Sequence, residues 1–237
     1  MKQVNHEHDA RSMILATGQK IMSRKGFSGV GLTEILSEAG VPKGSFYHYF
    51  ASKDAFGEAM LSTYFEAYHA DMDELFSKPG LTGAERLMLY FAAWRENQSA
   101  FECQGRCLAV KLGAEVADLS EPMRMALKTG TNGIISRMTR AVEDGIADGS
   151  LCVAERAADI ATSLYYLWLG ASVMVKIVRT HERSETSLQS TRAMLGMTLH
   201  KDFLQHRLKF LFSEFGWSDP QQRLPLTQME QNARETL

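Results

Sequence analysis

Between positions 43 and 53 the chain sets out two ammonium groups, a hydroxyl, a phenol and an imidazole: Lys43, Ser45, Tyr47, His48 and Lys53. Lys43 and Lys53 can neutralise phosphates, and Tyr47 and His48 can hydrogen-bond a phosphate or a base edge. Ser45 stands where a base edge could be read. Gly44 lets a helix backbone come close, and the amides of a helix's first turn suit a phosphate oxygen. A second chemistry is that of Cys107. The thiolate is the reactive form of cysteine, and nearby cations or a helix N-terminus favour it. Gly105–Arg106 precede Cys107 at an expected helix start, and Lys111 follows one turn on. Lys176 falls in a strongly apolar stretch, where a charge calls for a purpose or for a place near the helix end. A small hydrophobe in a helix is the ordinary role of an unpaired cysteine, and that reading stands beside the reactive one. Cys103 lies four residues before Cys107. On one helix their Cβ atoms would be ~6 Å apart, against the ~3.8 Å of a disulfide, so no bridge is expected.

The elements that must hold these groups are helices. Thr33 reads as an N-cap, Ile35, Leu36 and Ala39 give one apolar face, and Gly40 suits a left-handed stop. Pro42 then opens a second short helix in which Phe46, Tyr49 and Phe50 share the buried side and Tyr47 and His48 point away. Two helices joined by a tight turn, the second with a polar cationic face, are the parts of a DNA-reading helix-turn-helix. Helical periodicity continues over about 9–25, 53–77 (capped by Ser52), 82–101, 106–117, 121–149, 154–180 and 184–200. No stretch alternates as a strand does, so the expected fold is all-α. The segment 154–180 is apolar almost all round, which marks a buried helix or a dimer seam.

With Gly26–Phe27 and Thr33-x-Ile35 in front, the run Ala39–Gly40–Val41-x-Lys43–Gly44–Ser45-x-Tyr47-x-Tyr49–Phe50-x-x-Lys53 resembles the N-terminal signature of TetR-type transcriptional repressors. The resemblance implies a homodimer with an N-terminal three-helix helix-turn-helix domain, residues 1–52, and a helical sensor and dimerisation domain, residues 53–200. It implies Thr33, Lys43, Gly44, Ser45, Tyr47, His48 and Lys53 as the DNA contacts and a palindromic double-stranded operator as the partner. Gly31 and Leu36 depart from common family choices, which affects one phosphate contact and local packing. The stretch 105–124, with Trp168–Leu169–Gly170–Ala171 and Lys176–Ile177, resembles the members of that family that answer reactive electrophiles and oxidants. There a cysteine matching Cys107 is the sensor, and a lysine matching Lys176 takes part in the response. An alternative inducer is a non-covalent apolar ligand in a pocket lined by Phe91, Trp94, Tyr165 and Trp168. A further alternative is a helical interaction module working through the apolar segment 203–217.

Composition fits a regulator. The net charge is −2 over 237 residues, so any attraction to nucleic acid must be local. Residues 1–53 carry seven Lys and Arg against four Asp and Glu, a surplus of three, and the remainder is acidic. No signal segment opens the chain, and no uninterrupted apolar run reaches the ~18 residues of a membrane span, so no membrane role is expected. An odd number of cysteines, three, suggests reduced thiols in a cytoplasm. No metal-ligand spacing, phosphate-cradling glycine loop or nucleophile motif occurs, so no metal, cofactor or catalytic residue is expected. Residues 201–237 form an extra segment whose polar end is expected to be partly disordered.

Overall fold

A computed structural model describes residues 2–103, 107–179 and 182–197. The described residues form nine α-helices and no strand: α1 (Lys2–Lys25), α2 (Leu32–Ala39), α3 (Lys43–Tyr49), α4 (Lys53–Phe76), α5 (Gly83–Cys103), α6 (Leu108–Leu119), α7 (Glu121–Ala147), α8 (Ala157–Val178) and α9 (Glu182–Met194). The expected helices are all present. α1 starts earlier than the periodicity suggested, and α9 stops sooner, at a turn where Gly196 has φ +63°. The extra segment 201–237, with its apolar residues 203–217, lies outside the described residues.

The helices group into two compact units, and the division is not one cut along the chain. The first joins Met1–Glu66 to Cys107–Thr131. Its core contains Ile14, Met22, Val30, Ile35, Phe46, Phe56, Leu61, Leu108, Leu112 and Val116. Ala55 N–H donates to the Ser52 hydroxyl, so α4 has the expected cap. The cap expected for α2 is corrected. Thr33 lies inside the helix and Gly31 is the N-cap, its carbonyl accepting from the amides of Glu34 and Ile35. Leu32 begins the helix one residue before Thr33, so the Thr33 hydroxyl cannot cap it.

The second unit joins Ala67–Arg106 to Asn132–Leu237. A reciprocal cap starts α5: Thr82 donates to Glu85 through its amide and hydroxyl, and the Glu85 amide returns a bond to the hydroxyl. The amides of Gly83 and Ala84 go to Asp148 and Ser150, so the end of α7 closes the start of α5. The two backbones meet at a glycine pair. A Cβ on Gly83 would stand 2.3 Å from the nitrogen of Gly145. By length and composition α8 could cross a bilayer. In this fold Ile160, Ala161, Leu164, Tyr165, Trp168 and Val175 of α8 are core. A row at helical spacing, Tyr166, Gly170, Val173 and Ile177, stays exposed.

Candidate nucleic-acid interface

α2 ends at Gly40, with φ +66° and ψ +27°. The Val41 amide then bonds back to the Leu36 carbonyl at 3.0 Å, which fixes the angle at which α3 leaves. Pro42 is the N-cap of α3, and the Ser45 amide reaches its carbonyl at 2.9 Å. Below α3, Phe46 is fully buried, with ring centroids 5.3 Å from Phe50 and 5.7 Å from Phe56. Phe50 and Phe56 meet edge to face at 5.2 Å. The Arg11 guanidinium lies 5.4 Å from the centre of the Phe50 ring. These rings anchor the helix from behind. Tyr49, expected to share their burial, is only half-buried.

The outer face holds Lys43, Gly44, Tyr47 and His48, all exposed, with Ser45 half-buried beside them. Tyr47 is 65% exposed although its ring stands edge-on to Phe46 at 5.4 Å. Its hydroxyl end is therefore presented outward on a fixed base. A Cβ on Gly44 would meet nothing within 4 Å, so packing does not demand glycine there. Thr33 is exposed on α2. Among the described residues Lys43 has no carboxylate partner, whereas Lys20 and Lys25 of α1 pair with Glu38 and Glu34 of α2. Two cations of α1 therefore brace α2, while Lys43 on α3 stays exposed to an anion.

Lys53 is placed differently. Its ammonium donates to the Phe27 carbonyl at 2.8 Å and lies 4.5 Å from the centre of the Phe27 ring. Burial pulls its pKa below the usual lysine value, against the raising effect of Glu115 and Asp54. Glu115 was not singled out from the sequence. Its carboxylate, on α6, accepts the amides of Phe27 at 3.0 Å and Ser28 at 2.7 Å. Desolvation pushes the Glu115 carboxyl up, but the bonds from Ser28 and Phe27, with the charge of Lys111, outweigh it and hold it below the usual range. A signal was available. Leu108, Leu112 and Val116 form the buried stripe of α6, and position 115 borders that stripe where an apolar residue would be ordinary.

Cys107 is a half-buried cysteine at the N-cap of α6, and its carbonyl accepts the Lys111 amide at 3.1 Å. It belongs to the first unit, and half-buried Lys176, in the last turn of α8, to the second. Cys152 is exposed. Phe91, Trp94, Tyr165 and Trp168 come together in the second unit as packed core. Phe91 stacks on Trp168 at 5.2 Å, and Trp94 meets both Tyr165 and Trp168 at 5.9 Å. Both indoles are satisfied by buried hydroxyls. Trp94 donates to Ser172 at 3.0 Å and Trp168 to Thr191 at 2.9 Å, and each hydroxyl donates in turn to a carbonyl one helical turn back. Among the described residues no cluster of His, Cys, Asp or Glu could hold a metal ion.

Comparison with known proteins gives this geometry a lineage. Residues 14–60 match the family described as bacterial regulatory proteins, tetR family, and residues 83–191 match the tetracyclin repressor-like C-terminal domain. The chain is 41% identical over 190 residues to the HTH-type transcriptional repressor NemR of Escherichia coli, covering 80% of this chain and 96% of that protein. The crystal structure of the reduced form of E. coli NemR superposes with a TM-score of 0.77, over 80% of this chain and 98% of that one. The transcriptional regulator AcuR of Cereibacter sphaeroides is 30% identical over 168 residues, 71% of this chain and 77% of its own. With an exposed cationic helix set on an aromatic base, and relatives that are transcriptional regulators and not enzymes, the chain belongs to the TetR family of DNA-binding transcriptional regulators.

Proposed function

We propose that this regulator is a homodimeric, cytoplasmic repressor that leaves its operator when Cys107 is modified by an electrophile or oxidant. The observation that carries the reading is the place of Cys107 at the head of α6. There a thiolate would meet the unpaired amides of a helix's first turn. Similarity to NemR, whose solved form is described as reduced, supports a thiol chemistry. On the DNA side, Lys43 neutralises a phosphate and the first-turn amides beside Gly44 receive another oxygen. Tyr47, His48, Ser45 and Thr33 complete the contact set. Lys53, with one proton engaged on Phe27, has two left for a phosphate. The exposed row of α8 is the seam for the second copy. Two reading helices then stand about one DNA turn apart, ~34–36 Å, and the operator is palindromic. Lys176 acts in the response to the modified thiol.

Release requires only that the modified state fit DNA worse, and a bias of ~3 kcal/mol weakens binding over a hundredfold. The test is a gel shift on a DNA fragment selected by the unmodified protein, with and without N-ethylmaleimide. Wild type should release, and Cys107→Ser should hold. A Cys107→Ser protein that still lets go under the same treatment would sink the cysteine reading. Release of both proteins by an unreactive apolar compound would instead favour an inducer acting at Phe91, Trp94, Tyr165 and Trp168, which are brought into one cluster.

A further inference from the structure

The turn between α1 and α2 is gripped by two side chains of opposite charge. The Glu115 carboxylate on α6 takes the amides of Phe27 and Ser28, and the Lys53 ammonium at the start of α4 takes the carbonyl of Phe27. One peptide turn thus has its donors and an acceptor claimed by helices that lie 26 and about 88 residues further along the chain. Charge-assisted bonds of this kind are short and direction-sensitive. The turn is shaped to admit the carboxylate. Gly26 has φ +84°, and a Cβ there would stand 2.9 Å from Glu115 Oε2. A side chain at position 26 would strain the backbone and crowd the acceptor. α6 also packs on α1 through its apolar stripe, so the carboxylate rides on a helix with a fixed seat.

We propose that Glu115 is a positioning residue for DNA reading: it latches α6 onto the α1–α2 turn and so sets the angle at which α2 and α3 are presented. It touches no DNA. It acts through Phe27 and Ser28, which lead directly into Gly31 and α2. A shift of α6 by a fraction of a turn takes both oxygens out of bonding range together, because both amides depend on one carboxylate. The inference rests on the repressor reading above and gives it a mechanical part: the helix headed by Cys107 is the helix that holds the latch.

The experiment uses the full chain and a DNA fragment selected from random duplexes by the wild-type protein. Glu115→Gln keeps the shape of the side chain but replaces one acceptor oxygen with a donor group, and Glu115→Ala removes both. Three quantities are read: the dissociation constant for the fragment, the midpoint of thermal unfolding, and amide hydrogen exchange of the peptide containing Phe27 and Ser28. The expected result for Glu115→Gln is a folded protein with a modestly lowered midpoint, exchange at that turn faster by tenfold or more, and DNA binding weaker by tenfold or more. Should Glu115→Ala fail to fold, Glu115→Gln and Glu115→Asp decide alone, with Asp expected to recover part of the protection and part of the affinity. Unchanged exchange, or faster exchange with unchanged affinity, overturns the latch and leaves the repressor reading intact. Failure of wild type itself to retrieve any DNA overturns the repressor reading, and the latch with it.

Discussion

Gly44 separates what the fold needs from what DNA binding needs. No neighbour would touch a Cβ at that position, and glycine in a helix is less favourable than alanine by roughly 0.5–1 kcal/mol. Gly44→Ala should therefore leave the unfolding midpoint unchanged or slightly raised, while operator affinity falls because the new methyl meets the phosphate backbone. A gel shift and a thermal melt on the same sample check both halves. Lys43→Ala should weaken binding to all sequences alike and lower the log–log salt slope by roughly one unit per protomer. Glu115 gives a pH dependence of stability. Its folded pKa lies below its ordinary value of 4.5, so its contribution is complete above that value and is lost as pH falls through the folded one. Urea titrations at a series of acidic pH values should show stability falling more steeply in wild type than in Glu115→Gln. The exposed face of α3 could be read from the sequence because Lys, Gly, Tyr and His occupy one side of a short helix whose other side is aromatic. Glu115 escaped because its partners are backbone amides, which leave no mark in a sequence.

The helices themselves were read from periodicity and punctuation, and their errors have local causes. The capping role given to Thr33 failed because helix geometry starts at Leu32, and a cap side chain must stand one residue outside it. Gly130 and Gly133 stand inside α7, and close packing accounts for both. In the first unit a Cβ on Gly130 would lie 2.1 Å from the Phe65 ring, and in the second a Cβ on Gly133 would lie 2.3 Å from the His69 ring. Each ring occupies the space that a side chain would have taken. Gly130→Ala should cost about 1–3 kcal/mol by overpacking, measured by denaturant unfolding, although alanine is the better helix former. The indole of Trp168 supplies a second test. Thr191→Val keeps the volume but leaves the Trp168 N–H without its acceptor in a site of zero exposure, at a cost of about 1–3 kcal/mol. Tryptophan fluorescence during unfolding reports that change directly.

For the molecule as a whole, the all-α class was available from periodicity along the chain and the family from residues 26–53, where the motif joins glycine, cation and aromatic positions in one register. The grouping of α6 with the N-terminal helices was not available, since periodicity says that a segment is helical and nothing of which core it enters. In the proposed homodimer the exposed α8 row is the seam, and Val173→Glu should yield monomers by sedimentation with operator binding lost, while the helical circular dichroism is retained. The composition of the first unit has a consequence in time. It is assembled from Met1–Glu66 and Cys107–Thr131, with the second unit's chain running between them. During synthesis the first three helices emerge long before α6, and until then the Phe27 and Ser28 amides have only water to bond. A ribosome must deliver residues up to about 131 before every part of the first unit is present, and chains cut short before α6 lack the carboxylate that holds the α1–α2 turn.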